Sequence, residues 1–256
     1  MNQAETKKPK FSLVVPAFNE EKRLPLAIRD IDSFFARFSS EVEILIVIEK
    51  SSDQTLNLAQ ELTKDKAHFK VIDNKVHRGK GYAVKSGMLQ AQGDYVFFMD
   101  ADLSTPLAEV ITFLNHFSED NSVDIIIGSR EHNQSEILKS QNPIRKNMGR
   151  MFNQIVQQFA VKGITDTQCG FKAFKKEVVE PIFSRQQIDG FAFDVEILLL
   201  AIEYGATIDT LPIKWVNDPD SKVHIIKHSL QMLRDILRIK RVVRNTLKKN
   251  PFPSKA

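Results

Sequence analysis

Five short apolar runs, separated by four segments of helical character, occupy the first ~130 residues of this chain, and that alternation leaves few folds open. The runs are Phe11–Val15, Val42–Ile48, Phe69–Ile72, Tyr95–Met99 and Val123–Ile127. Each is mostly apolar, with at most one polar residue, as expected of a strand covered largely on both faces. Between them, Leu24, Ala27, Ile28, Ile31, Phe34, Phe35 and Phe38 recur at the spacing of one helix face. Asp53 is placed to cap a helix through Asp65, and Gly79–Gln92 and Leu107–Phe117 read as helices. The pattern predicts an α/β fold with a mostly parallel sheet flanked by helices. Beyond residue 130 the signal weakens to helices near 147–161 and 193–204 and a strand over 208–216.

Composition narrows the class. Apolar residues make up 42% and charged residues 27%, too apolar for a disordered chain. The single cysteine, Cys169, excludes an internal disulfide framework. No apolar run approaches the roughly 18 to 20 residues of a spanning helix, and Met1–Lys10 is polar with no signal-peptide region. The expectation is a cytoplasmic protein with a disordered tail over residues 1–10 and a folded unit over 11–220. The net charge of +4 conceals an uneven distribution: residues 222–256 hold ten Lys or Arg against Asp235, a local +9. In that tail Met232, Ile236, Ile239, Val243 and Leu247 form an apolar stripe, with Arg234, Arg238, Arg241 and Lys248 on the other side. A basic amphipathic helix of this kind suits a peripheral seat on an anionic membrane surface. It equally suits a terminal helix docked on its own body. Nucleic acid is not expected, because aromatics do not interleave with the basic residues.

Ligands of parallel α/β sheets bind beyond the carboxyl ends of the strands, so the residues after each run are the candidates. Asp100-Ala101-Asp102 ends one strand and offers two hard-oxygen donors to Mg²⁺ or Mn²⁺, with Ser104 spaced to join through water; most such pairs are solvated turns. His77-Arg78-Gly79-Lys80-Gly81 precedes a helix and can approach an anion closely, yet lacks the spacing of a P-loop. Arg130, in Gly128-Ser129-Arg130, is a phosphate clamp or a structural ion pair. Arg145, Lys146 and Arg150 extend it or form a solvated face. Asp166-Thr167-Gln168-Cys169-Gly170-Phe171-Lys172 reads as a tight loop in which Cys169 is a structural thiol. Asp194 caps a helix, or Asp194 or Glu196 faces the substrate.

Taken in order, VVPAFNEE, RGKG, MDADLSTP, IIIGSR, DTQCGFKAF, FAFDVEILLLA and the late DSK resemble the family 2 glycosyltransferases of the GT-A fold. Among them the chain looks most like the dolichyl-phosphate glucosyltransferases, then the dolichyl-phosphate mannose synthases. The likeness runs from about Phe11 to Lys240. It implies an inverting, metal-dependent transfer of a hexose from a nucleotide sugar, UDP-linked before GDP-linked, to a polyprenyl phosphate. It further implies nucleoside contacts from Pro16, Ala17, Phe18 and Glu20, and from Glu49 after the second strand. Arg78, Lys80 and Ala101 join the nucleotide-sugar site, Asp100 and Asp102 take the metal and diphosphate, and Arg130 with Arg145 or Arg150 takes the acceptor phosphate. Ser221 and Lys222 lie by the diphosphate. The usual V-D-D-G-S after the second strand is here Ile48-Glu49-Lys50-Ser51-Ser52, so one carboxylate of the pair is missing. A soluble acceptor would instead need a carboxylate base, from Asp166, Asp194 or Glu196, and a non-catalytic nucleotide-sugar binder at a membrane is the remaining reading.

Overall fold

The structure, a computed structural model, describes residues 8–38, 41–139, 153–158, 161, 163–216 and 225–252. Seven strands form the main sheet: β1 (Phe11–Ala17), β2 (Val42–Ile48), β3 (Phe69–Asp73), β4 (Tyr95–Phe98), β5 (Ile125–Ser129), β7 (Lys172–Lys175) and β8 (Ile208–Pro212). Their order is β3-β2-β1-β4-β7-β5-β8. The remaining two, β6 (Glu136–Lys139) and β9 (Lys214–Val216), make a separate ribbon. The helices are α1 (Leu24–Phe35), α2 (Thr55–Thr63), α3 (Lys80–Gln90), α4 (Ala108–Glu119), α5 (Lys176–Phe183), α6 (Phe193–Tyr204) and α7 (Ile225–Lys249).

Burial on both faces explains the continuous apolar runs. Leu13, Val15, Ile44 and Ile46 point to one side, where α1 and α4 cover them through Ile28, Ile31, Val110 and Phe113. Val14, Leu45 and Val47 point to the other, against Val84 and Met88 of α3 and the core helices α5 and α6. In register, Ala17 lies opposite Ile48, Ile48 opposite Asp73 and Val14 opposite Phe98. The ends of β1 to β4 therefore release Phe18, Glu49, Asn74 and Met99 along one edge.

The later half departs from the sequence reading in two places. β7 is antiparallel, inserted between β4 and β5. The single strand expected over 208–216 is two: β8 stays in the main sheet, and β9 pairs with β6. The break falls after Pro212, whose missing N–H cannot continue a ladder, and at Ile213, which turns into the core. Residues 153–158 are helical, within the expected 147–161. At the start, Lys10 already donates to the Glu41 carbonyl and accepts from Asp94, so order begins before Phe11.

The tail helix α7 uses its apolar stripe internally. Ile236, Ile239 and Val243 are buried in the same core cluster as α6. Arg185 grips its far end, donating to the carbonyls of Asn250 (2.8 Å) and Pro251 (2.6 Å) beneath the Phe252 ring. The docked reading of the stripe is the one the burial supports. Arg234, Arg238, Lys240, Arg241, Arg244, Lys248 and Lys249 remain exposed. No described helix is long and apolar enough to cross a membrane.

Candidate active site

The Asp100–Asp102 turn follows β4 at the sheet edge. Asp100 pairs with Lys80 of α3 at 2.5 Å, so the basic loop and the acidic turn meet. Burial lowers the affinity of Lys80 for its proton, but Asp100, Asp194 and Asp102 outweigh it and hold the ammonium above its ordinary pKa. Asp102 Oδ1 accepts the Ser104 N–H at 2.9 Å. Burial, reinforced by the neighbouring Asp100 charge, raises the Asp102 carboxyl. Ala101 between them is buried, and Leu103 turns the chain with φ 49°. Gly170 presses on this turn from the other side: a Cβ there would stand 2.1 Å from Asp100 Oδ2.

Two carboxylates held together at some electrostatic cost, with a backbone cradle that excludes even a methyl group, fit a hard divalent cation. Among the described residues no three His, Cys, Asp or Glu side chains converge. A cation here would need further ligands from outside the protein's described side chains.

Beneath the turn, Lys172 is fully buried. Its Nζ donates to Asp194 and to the Cys169 carbonyl at 2.6 Å, and sits over the Phe98 ring. Burial raises the Asp194 carboxyl, with Lys172 and Lys80 opposing it. Asp194 stands in the first turn of α6 and makes no capping bond. Asp100, Lys80, Asp194 and Lys172 thus alternate in sign from surface to core. Glu196 faces elsewhere: its carboxylate accepts the N–H groups of Gln187 (3.0 Å) and Ile188 (2.7 Å), which ties down a loop.

Arg130 leaves β5 and meets Asp166 in a bidentate pair, both bonds 2.8 Å, while its N–H also reaches Asp166. Its guanidinium lies 5.6 Å from the Trp215 ring centre, and its side chain keeps 28% exposure. The ion-pair reading is what the geometry contains, at a position exposed enough to meet a ligand. Burial works against the Asp166 charge, yet Arg130 holds that carboxyl below its usual value. Cys169 is 1% exposed, and burial pushes its thiol up to about 12, so it is no nucleophile at neutral pH.

At the other end, Phe18 stacks on His77 with ring centres 3.7 Å apart and planes 9° from parallel. Glu49, 2% exposed, accepts the N–H groups of Arg78 (2.8 Å) and Gly79 (2.9 Å) through Oε1 and engages His77 Nδ1 (2.7 Å) through Oε2. Gly79 has φ 128°, and a Cβ there would stand 2.7 Å from the Asp189 carbonyl, so only glycine passes. Arg78 turns outward to Asp189 at 2.7 Å and over the Tyr82 ring. Glu20 pairs with Arg23 at 2.6 Å, and its N–H reaches Thr55. Pro16 and Ala17 close β1. Asp53 accepts the Thr55 N–H at 3.0 Å just before α2. Arg145, Lys146, Arg150, Ser221 and Lys222 lie outside the described residues.

The edge therefore gathers Phe18, Glu49, Lys80, Asp100, Asp102, Arg130 and Asp194. Sequence reasoning does not single out Lys172, Gly170, His77 or Trp215 as site residues. Gly170, Lys172 and His77 sit inside loops noted for their other members, and that is the available signal.

A family model described as Glycosyl transferase family 2 matches residues 12–183. The dolichyl-phosphate beta-glucosyltransferase of Dictyostelium discoideum is 35% identical over 240 residues, covering 90% of this chain and 73% of that protein. The Saccharomyces cerevisiae protein of the same description is 34% identical over 247 residues, with 90% and 74% covered. Among solved structures, glucosyl-3-phosphoglycerate synthase from Mycobacterium tuberculosis, in complex with Mn²⁺, UDP and phosphoglyceric acid, superposes with a TM-score of 0.65 at 15% identity, covering 97% and 81% of the two chains. Mannosyl-3-phosphoglycerate synthase from Rubrobacter xylanophilus gives 0.65 at 16%, covering 96% and 77%.

Proposed function

Since the chain belongs to the family 2 glycosyltransferases, we propose that it transfers glucose from UDP-glucose to a dolichyl or other polyprenyl phosphate, with inversion at the sugar carbon. The observation that carries this reading is an acidic turn, Asp100 and Asp102, at the sheet edge, with Lys80 paired to Asp100 at 2.5 Å and Arg130 close enough to feel the Asp100 charge. Relatives at 34–35% identity across nine-tenths of the chain are described as dolichyl-phosphate beta-glucosyltransferases.

The acceptor is a phosphate monoester, already ionised at neutral pH, so its oxygen attacks the sugar C1 without a general base. The C1–O bond to the diphosphate breaks as the new C1–O bond forms on the opposite face, and UDP leaves. Asp100 and Asp102 would hold Mg²⁺ or Mn²⁺, which when bound neutralises charge on the departing diphosphate. Lys80 supplies a fixed positive charge at the same place. Arg130, oriented by Asp166, offers the incoming phosphate a guanidinium against the repulsion of two anions. Lys172 opposes the effect of burial on Asp194, whose charge attracts the Lys80 ammonium beside the turn. The exposed basic side of α7 would meet an anionic leaflet by charge, at about 1 kcal/mol per basic residue near the surface.

The test is UDP release from UDP-glucose with Mg²⁺ or Mn²⁺, with and without a short polyprenyl phosphate. Release is expected only when the lipid phosphate is present. Folded protein that binds UDP but gives no lipid-dependent release would overturn the reading.

A further inference from the structure

We infer that the group that selects the nucleobase is His77 rather than a carboxylate after the second strand, with Glu49 fixing the tautomer in which His77 reads the base. The inference rests on the proposal that the donor is a nucleoside diphosphate sugar.

The placement follows from the sheet. The order β3-β2-β1-β4 lines the loops after these strands in a row, with the diphosphate-side groups Lys80 and Asp100 at one end. His77 stands three residues before Lys80 on the same loop, at most about 10 Å away along the backbone. A ribose spans that interval, so a donor anchored at Lys80 and Asp100 carries its base toward the Phe18–His77 stack.

The carboxylate after β2 is in no position to serve the base. Glu49 is 2% exposed, and its oxygens already meet two backbone N–H groups and His77 Nδ1. Ile48, the preceding residue, is apolar and buried. His77 is different: its side chain is 48% exposed, and stacking on Phe18 fixes its plane.

The chemistry then determines the preference. A carboxylate only accepts hydrogen bonds, so the proton of the neutral imidazole sits on Nδ1. The other nitrogen, Nε2, is left as an acceptor. An acceptor recognises a base edge that presents a ring N–H donor. Uracil (N3–H) and guanine (N1–H) have one; cytosine and adenine present a lone pair there instead. The arrangement therefore selects UDP and GDP over CDP and ADP, since opposing lone pairs leave a polar group unmatched.

Glu49→Gln turns this into a sharp test. Its amide oxygen can still accept from Arg78 and Gly79, while its NH₂ donates to His77 Nδ1. The imidazole proton then moves to Nε2, and the reading group becomes a donor. The experiment is calorimetric titration of UDP, GDP, CDP and ADP, each with Mg²⁺, into wild type, His77→Phe and Glu49→Gln, with circular dichroism to check folding. Wild type is expected to bind UDP at least tenfold tighter than CDP. His77→Phe keeps the stack and should bring the UDP:CDP ratio within about threefold; Glu49→Gln should lower it below one. A wild type that binds UDP and CDP alike, or a folded His77→Phe that keeps the wild-type ratio, overturns the assignment. Because these readouts are nucleotide binding alone, they can fail while lipid-dependent release stands, and the reverse.

Discussion

Gly170 and Asp100 are in a contact that tolerates no further atom: a methyl group on residue 170 would lie 2.1 Å from the Asp100 carboxylate. The loop that follows Asp166 therefore fixes the position of the acidic turn after β4, although the two segments are distant in sequence. Gly170→Ala must displace the Asp100 side chain, which pairs with Lys80, from its place. Turnover is expected to fall about a hundredfold, the scale on which loss of one preorganised electrostatic group acts, with the melting temperature nearly unchanged. Turnover within threefold of wild type would show that Asp100 can shift without consequence.

Arg130 and Asp166 are predicted to separate acceptor from donor. Arg130→Gln should raise the KM for the polyprenyl phosphate at least tenfold and leave UDP affinity within about twofold. A change confined to UDP binding would move Arg130 to the donor side.

The Lys172–Asp194 pair is predicted to matter most when it is half removed. Lys172→Met leaves a buried carboxylate without its partner, a change that costs about 3–5 kcal/mol. The double variant Lys172→Met/Asp194→Leu should recover more than half of that loss, since neither charge is then stranded. Urea denaturation of the two variants measures the difference. Equal losses in both would mean the pair is not coupled.

Glu196 gives a pH signature. Burial outweighs its two backbone hydrogen bonds and raises its carboxyl from the ordinary 4.5 to about 7. Between those values the native protein holds a proton that the unfolded chain has released. Stability from this group is thus full below pH 4.5 and declines as pH rises to about 7. The total is on the order of 3 kcal/mol, since each tenfold gain in proton affinity is worth about 1.4 kcal/mol. Glu196→Gln carries no ionisable proton, so its urea midpoint should fall less than that of wild type between pH 5 and pH 8. Parallel declines in both proteins would assign the pH dependence to other groups.

How much of this was legible in the sequence depends on how local each signal is. β1, β2 and β4 are apolar on both faces, and that shows without tertiary knowledge. The acidic turn was legible because a carboxylate pair directly after such a strand has a fixed place. β7 was not, because its first residue is a lysine whose burial makes sense only with Asp194, 22 residues on. For the same reason the three internal partners of Glu49, at residues 77–79, lie beyond any local window. In the tail, periodicity identifies an apolar stripe but cannot say whether lipid or α6 covers it.

The grip of Arg185 on Asn250 joins residues 65 apart. At a synthesis rate of about 5–20 residues per second, roughly 3–13 s pass between the appearance of one partner and the other. Until then the buried side of α7 is unavailable, and the apolar surface of α6 that Ile236, Ile239 and Val243 will cover has no lid. The nascent protein thus passes through an interval in which its sheet can form while one flank is still adhesive, and a chaperone acting on it would act there, before α7 arrives.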